Sequence, residues 1–177
     1  MLRDLLARVG TGELSPDEAM ASLAGMTFIE LGEAKPDVHR AARTGQPEAI
    51  YGPGKEPEQV AAVVRALAQG GVRPIFVTRA TDAQYRAARE VLPDAVFHPR
   101  ARLAVMRPVD DEPAGAVAVV SAGTSDLPVS DEAAFVSEAL GLKVERIADV
   151  GIAGVHRVVA HRSALEEADC LIAVAGM

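Results

Sequence analysis

Three apolar segments in the last third of the chain constrain its fold more than any other feature. They are AVAVV at 116–120, LKVERI at 142–147 and CLIAVAG at 170–176. Each has the length of a buried strand, and the intervals hold glycine-bearing loops followed by helical patterns at 128–140 and about 155–168. This order of elements is typical of a parallel sheet with right-handed crossovers. We therefore predict an α/β fold in which helices flank a parallel sheet in three layers.

The predicted sheet is short of strands. Open parallel sheets usually have about four to six strands with a helix after most of them, whereas the third run here reaches the end of the sequence at Met177. Three explanations stay open. Strands at 74–78 and within 95–106 join the sheet, partner chains cover it, or the sequence is a C-terminally incomplete part of a longer chain.

The first two thirds of the chain predict a helical and extended region and a smaller α/β region. Helical spacing predicts helices at 2–9, 16–23, 57–69 and 81–92, with a short one at 37–44. The second of these begins with Ser15 as N-cap and Pro16 at the first helical position. Charge and proline at 107–114 mark a domain boundary. The predicted division is an arm at 1–55, a small α/β region at 56–112 and a nucleotide-binding domain at 113–177.

The composition excludes several classes of protein. A net charge of −7 argues against general binding of nucleic acid or an anionic membrane, so that any nucleotide is expected to be a small molecule. One cysteine, Cys170, rules out an internal disulfide and fits a reducing cytosol. The sequence contains neither a signal-peptide pattern nor an apolar run that could span a bilayer. We expect a cytoplasmic protein.

The loops that follow the three predicted strands form the candidate site, because ligands of such sheets bind outside the carboxyl ends of the strands. In the first loop, SAGTSD, Gly123 lets the backbone approach a ligand and Asp126 would accept a ribose hydrogen bond or orient a reacting group. Three hydroxyls accompany them, those of Ser121, Thr124 and Ser125. The next helix points its N-terminal amides at the same place, which favours an anion. The alternative is that Ser125 or Asp126 is merely an N-cap.

The second loop, DVGIAGVHR, contributes a different set of groups. Gly151 and Gly154 free the backbone, Arg157 would pair with a phosphate or carboxylate, and His156 would move a proton. The alternatives are a surface arginine and a structural histidine. The four histidines show no metal-ligand spacing, and Cys170 is best interpreted as a small apolar packing residue.

The segment 31–55, LGEAKPDVHRAARTGQPEAIYGPGK, carries Arg40, Arg43 and Lys55. By composition alone it is a solvated charged arm. The other interpretation is that these cations grip the substrate or a neighbouring subunit.

Taken together, these segments resemble the LarB family. The similarity lies in the spaced charges of 31–55 and in VAVVSAGTSDLPVSDEAAFVSEALG, DVGIAGVHR and ADCLIAVAGM. The last three motifs are also similar to PurE, the aminoimidazole ribonucleotide carboxylase, whose nucleotide-binding Ser-Asp and His-Arg pairs match Ser125-Asp126 and His156-Arg157. Gly123 replaces the first serine of the PurE loop, and the N-terminal signature is foreign to PurE. Both departures favour LarB, and the resemblance covers nearly the whole chain after about residue 27.

The resemblance implies a reaction in nickel-pincer nucleotide synthesis. Nicotinic acid adenine dinucleotide is carboxylated on its pyridinium ring with CO2 or bicarbonate, and its phosphoanhydride is hydrolysed to AMP and pyridinium-3,5-biscarboxylic acid mononucleotide. It also implies a requirement for Mg2+ and a homo-oligomer, since PurE proteins form rings of eight. In LarB the ring-activating cysteine lies beyond the Ala-Gly-Met motif, so we expect this chain to bind ligand without turnover. The alternatives are a PurE-like ribonucleotide carboxylase or mutase and a non-catalytic nucleotide-binding module.

Overall fold

The computed structural model describes residues 2–25, 29–30 and 34–176, and only the backbone of Leu2, residues 23–25, Ala42 and Arg43. The chain begins with two helices, α1 (Leu2–Gly10) and α2 (Pro16–Gly25). The Ser15 hydroxyl accepts the amide of Glu18, and the Glu18 carboxylate accepts the amide of Ser15 in return. This reciprocal cap confirms the predicted start of α2. None of the described helices combines the length and the apolar character needed to cross a membrane.

A first, mixed sheet follows. Its strands are β1 (Ala49–Tyr51), β2 (Ile75–Thr78), β3 (Val96–His98) and β4 (Leu103–Met106), in the order β1-β2-β4-β3. β1 is parallel to β2, and the other two pairs are antiparallel. Three helices belong to this part of the chain, α3 (Arg40–Thr44), α4 (Pro57–Gln69) and α5 (Asp82–Val91). Because β1 pairs with β2, residues on both sides of the predicted boundary at 55 contribute to one sheet; the division at 55 and 112 stays a prediction.

The core of this first part lies between α4, α5 and one face of the sheet. The helix predicted at 57–69 buries an apolar stripe, in which Val60, Val64 and Leu67 are fully buried. It packs against sheet residues that include Ile75 and Met106. Burial of each such side chain stabilises the fold by about 1.5–3 kcal/mol, so this stripe determines which face of α4 meets the sheet.

The second sheet is the parallel one predicted from the apolar runs. It contains β5 (Ala116–Ser121), β6 (Lys143–Ile147) and β7 (Cys170–Val174), with β5 in the centre and parallel to both neighbours. The chain passes from β5 through α6 (Leu127–Ala139) to β6, and then back across β5 to β7. Right-handed crossovers therefore place α6 on one face and the following helices on the other. The α/β fold with flanking helices is confirmed, although the predicted strands within 74–106 form a sheet of their own.

Some predicted elements differ from those observed. The helix predicted at 155–168 is divided into α7 (Val155–Val159) and α8 (Arg162–Glu167), and a 3-10 helix at Ile152–Gly154 precedes it. The break follows from a tight turn, in which the His161 amide donates to the Val158 carbonyl, and from β-branched valines that disfavour a helix. The short helix predicted from 37 begins only at Arg40, because the Asp37 carboxylate bonds the amide of His39 in a turn.

Helix α6 lies between the two sheets and packs against both. Its Phe135, Val136 and Ala139 contact the outer face of the first sheet, and Ala134 contacts the parallel sheet. Polar contacts cross the same junction. Arg100 Nε lies 2.5 Å from the Asp131 carboxylate, and His98 stacks on the Phe135 ring with the centroids 3.5 Å apart.

Candidate functional site

The carboxyl ends of β5 and β7 and the loop after β6 lie together at one edge of the parallel sheet. The Ala122 amide donates to the Val174 carbonyl at 3.0 Å, and the Val150 amide donates to the Ser121 carbonyl at 3.1 Å. These bonds continue the register of the strands into the loops. The two glycine loops that the sequence placed at strand ends are therefore neighbours, as the parallel order predicts.

Asp126 joins two of these loops. One of its carboxylate oxygens accepts the Gly123 amide at 2.9 Å, and the other accepts the Gly176 amide at 3.2 Å. Asp126 also occupies the N-cap position of helix α6, but its side chain makes no cap hydrogen bond to that helix. An ionised carboxylate has about four acceptor sites, and Asp126 therefore keeps the capacity to accept a ligand hydroxyl while it holds the loops in place.

The rest of the first loop is open to solvent. Thr124 and Ser125 form a short 3-10 helix with Asp126, and both are exposed. Gly123 has extended backbone angles, and an added Cβ would meet the Asp126 carboxylate only at 3.9 Å. The absence of a side chain at Gly123 therefore leaves space above the loop, although the backbone itself does not require glycine.

Gly151 allows a close contact with the first loop, and Gly154 allows a close contact with Arg157 in the second loop. A Cβ on Gly151 would lie 3.1 Å from the Ala122 carbonyl oxygen, so glycine lets the second loop close against the first. A Cβ on Gly154 would lie 2.6 Å from Nε of Arg157. The guanidinium thus rests directly on the backbone of Gly154.

Arg157 is paired within its own loop. Its Nη1 lies 2.8 Å from the carboxylate of Asp149, with about 40% of the arginine side chain and 62% of the aspartate side chain exposed. Asp149 adopts a left-handed backbone conformation, with φ of 58°. Exposed pairs of this kind contribute little to stability, which leaves Arg157 able to exchange its partner for a ligand phosphate. His156 is exposed beside it.

The N-terminal cations belong to the first sheet. Arg40 begins α3 and is exposed, whereas Lys55 follows β1, is half-buried and gives its carbonyl to the Gln84 side chain. The side chain of Arg43 lies outside the described residues. The contacts of the described residues do not bring Arg40 or Lys55 to the loops of the parallel sheet, and their predicted role in gripping substrate or a subunit stays a prediction.

A cavity of about 140 Å³ lies beneath the first loop, between α6 and β6. Its polar lining consists of five residues, Arg100, Ser121, Ser130, Asp131 and Arg146. The Ser121 hydroxyl is buried and has no hydrogen-bond partner among the described residues. The hydrogen bond that Arg100 donates to Asp131 raises the pKa of Arg100, so the arginine stays charged. Thus one of the three predicted hydroxyls lies in this cavity.

All three charged residues of the cavity were missed by sequence reasoning, namely Arg100, Asp131 and Arg146. Asp131 looks like an ordinary surface residue of a helix, yet its side chain is only 9% exposed. Its partner Arg100 is 31 residues away in the sequence. A local pattern cannot show such a pair.

Cys170 lies at the other end of the parallel sheet. It pairs with Val117 at the amino end of β7, whereas Ser121 pairs with Val174 at the carboxyl end. The residue is exposed, so its interpretation as a buried packing residue is wrong. Among the described residues, we find no group of three His, Cys, Asp or Glu side chains that could hold a metal ion. The described residues therefore do not fit a Mg2+ site held by the protein alone.

Comparison with known proteins identifies the family of the chain. The family model described as the LarB/PurE-like N-terminal domain matches residues 28–108. An uncharacterized protein of Methanocaldococcus jannaschii is 32% identical over 188 residues, which span 99% of this chain and 72% of that protein. Together with the parallel sheet and its two glycine loops, these matches show that the chain belongs to the LarB/PurE-like family, with its carboxylase- and mutase-related chemistry.

Proposed function

We propose that this protein carboxylates the pyridinium ring of nicotinic acid adenine dinucleotide and hydrolyses its phosphoanhydride. The products are AMP and pyridinium-3,5-biscarboxylic acid mononucleotide. The observation that carries the proposal is the meeting of two glycine loops, with Asp126 and Arg157, at the carboxyl edge of the parallel sheet. The match to the LarB/PurE-like domain over 28–108 supports an activity of the carboxylase- and mutase-related class. The N-terminal signature, which is foreign to PurE, is our reason for proposing the LarB-type reaction.

The loops have the groups needed to hold a dinucleotide. Arg157 would release Asp149 and pair with a phosphate, because a guanidinium binds phosphate through two parallel N–H bonds. Thr124 and Ser125 offer exposed hydroxyls, and Asp126 accepts a ribose hydroxyl. Exposed His156 would take up or give a proton at the phosphoanhydride.

The ring chemistry needs a further group. CO2 must replace the proton on the ring carbon, and an electron-poor pyridinium does not attack CO2 until a nucleophile has added to it. Cys170 does not fit this role. It lies four residues before the carboxyl end of β7, or about 13 Å at the usual rise per residue, which is too far from a ring bound at the loops. We propose that Cys170 takes no part in the chemistry.

An assay with labelled bicarbonate tests the proposal. The protein is incubated with nicotinic acid adenine dinucleotide, magnesium and ¹³C-bicarbonate, and AMP and labelled dicarboxylated mononucleotide are sought by mass spectrometry. Parallel incubation with aminoimidazole ribonucleotide tests the PurE-like alternative. Turnover of the ribonucleotide alone would contradict the proposal, as would binding of neither nucleotide.

The Cys170→Ser variant is the matched control for the nucleophile. We expect it to bind the dinucleotide as tightly as the unmodified chain does and to give the same outcome in the assay. Product that is formed by the unmodified chain and abolished in Cys170→Ser would show that this thiol is the nucleophile after all.

A further inference from the structure

The buried hydroxyl of Ser121 points to a ligand that the loops alone do not explain. Ser121 is 1% exposed, and its Oγ has no hydrogen-bond partner among the described residues. Buried side-chain hydroxyls are nearly always bonded to protein or to an ordered molecule. This hydroxyl lies in the wall of the cavity below the first loop, so the partner is expected inside that cavity.

The cavity has room for a small ion. Its volume is about 140 Å³, whereas one water molecule occupies about 30 Å³ in the liquid. The space therefore exceeds what one structural water fills, but it is far too small for a nucleoside. Apolar side chains, those of Val119, Leu127 and Ile147, complete the lining.

The polar lining has more N–H donors than the neighbouring carboxylates can use. Two guanidiniums, those of Arg100 and Arg146, face one carboxylate, that of Asp131. Arg100 bonds Asp131 through Nε, while Arg146 bonds Glu138 at 2.8 Å and lies 4.0 Å from Asp131. Each guanidinium has five N–H donors, so both keep donors that these acids do not use. Arg146 is further held over the Phe135 ring, 4.1 Å from its centroid.

We propose that this cavity binds a small monovalent oxyanion of the size of bicarbonate. The Ser121 hydroxyl donates to one oxygen of the ion, and the free N–H groups of Arg100 and Arg146 donate to the others. Bound there, the ion lies directly beneath the loop that carries Asp126. The choice of bicarbonate rests on the proposed function, in which the carboxylate source must reach the nucleotide edge, whereas binding of the oxyanion follows from the cavity alone.

The test is a bicarbonate titration of the ¹⁵N-labelled protein, followed by NMR of the arginine Nε–H signals. Chloride replaces bicarbonate to keep the ionic strength and pH constant. We expect saturable shifts of the Arg100 and Arg146 signals, while those of exposed Arg86 and Arg162 stay unchanged. Signals that move in proportion to bicarbonate without saturating, or do not move, mean a cavity filled by water only and overturn the proposal.

Two variants and one control sharpen the test. Ser121→Ala should weaken bicarbonate binding about tenfold, the usual effect of losing a hydrogen bond to a charged group. Arg100→Gln, at a side chain that is 58% exposed and whose loss should not prevent folding, should weaken it at least as much. Ser137→Ala, at a buried serine of α6 whose hydroxyl already bonds the Ala133 carbonyl, should leave it unchanged. Unchanged affinity in both test variants overturns the assignment.

A separate titration with nicotinic acid adenine dinucleotide distinguishes this inference from the proposed function. Saturable bicarbonate binding in a protein that does not bind the dinucleotide would refute the proposed function and support the oxyanion site. Dinucleotide binding without saturable bicarbonate binding would support the proposed function and refute the oxyanion site.

Discussion

Asp126 shows how one side chain can organise a ligand edge. Its two oxygens accept amides from residues 123 and 176, which belong to loops after different strands. Removing the carboxylate leaves both amides to bond water, because Gly123 is only half-buried and Gly176 is exposed. The loss is therefore smaller than the sum of two hydrogen bonds to a charged group, each of which contributes about 1.5–3 kcal/mol. This effect on the loops adds to that of losing one ligand contact.

At this scale we expect Asp126→Ala to weaken dinucleotide binding and to lower the free energy of unfolding by about 1–3 kcal/mol. Isothermal titration calorimetry and urea denaturation measure the two quantities. Wild-type values of both would contradict the assignment of Asp126 as the link between the loops.

We expect Arg157→Ala to weaken dinucleotide binding without a comparable loss of stability. Its exposed pair with Asp149 contributes no more than about 1 kcal/mol, so the free energy of unfolding should hardly change, while dinucleotide affinity should fall about tenfold. Arg162→Ala is the matched control, because it removes an exposed arginine–glutamate pair on α8. Equal affinities of the two variants would show that Arg157 is only a surface residue.

At the scale of elements, α6 decides how the two sheets meet. Its apolar residues face both sheets, and His98, Phe135 and Arg146 form a stack across the junction with the first sheet. Burial lowers the pKa of His98; Arg146 lowers it further, while Glu138 and Asp131 raise it. The folded state therefore favours the neutral imidazole.

This shift predicts a dependence of stability on pH. The unfolded chain takes up a proton at the ordinary histidine pKa of about 6.5, before the folded chain does, so the free energy of unfolding should fall as the pH drops below that value. His98→Phe keeps the stacked ring without its titration and should lose less stability between pH 7.5 and 5.5. Urea denaturation of both proteins at the two pH values measures this, and equal losses would contradict it.

At the scale of the whole molecule, apolar surface is exposed next to the second loop and on β7. Ile152 is 90% exposed, and Val155, Val159 and Leu171 are more than half exposed. Parallel sheets normally have both faces covered, and we propose that the protein self-associates, as the resemblance to PurE implies. Light scattering should give a mass well above 18.5 kDa, and Ile152→Glu with Val159→Glu should reduce it. A well-behaved monomer would count against assembly by this chain.

The N-terminal cations are best tested by substitution rather than by removing the arm. A chain that starts near residue 59 would lose β1 and the Glu56 cap of α4, and so would lose structure whatever the arm binds. Arg40→Ala with Lys55→Ala should instead weaken dinucleotide binding or assembly while the protein stays folded. Arg89→Ala, at an exposed position of α5, is the control. Wild-type binding and mass in the double variant would show that the arm is only a solvated segment.

The features that the sequence determined by itself depend on residues close together in the chain. The capped start of α2, the stripe of α4 and the three parallel strands each follow from residues a few positions apart, because caps and periodic burial act over one or two turns. The meeting of the glycine loops followed as well, since parallel strands present their carboxyl ends at one edge.

Only the tertiary structure decided how the site is built. Arg100 meets Asp131 across 31 residues, and Asp126 receives the Gly176 amide across 50. The packing of α6 between two sheets decides that the Asp131 side chain is enclosed. It also decides that the Ser121 hydroxyl is buried and that a cavity lies between the two. The residue pattern of α6 shows apolar positions on both sides, but which polar side chain is enclosed depends on the partner that each face meets.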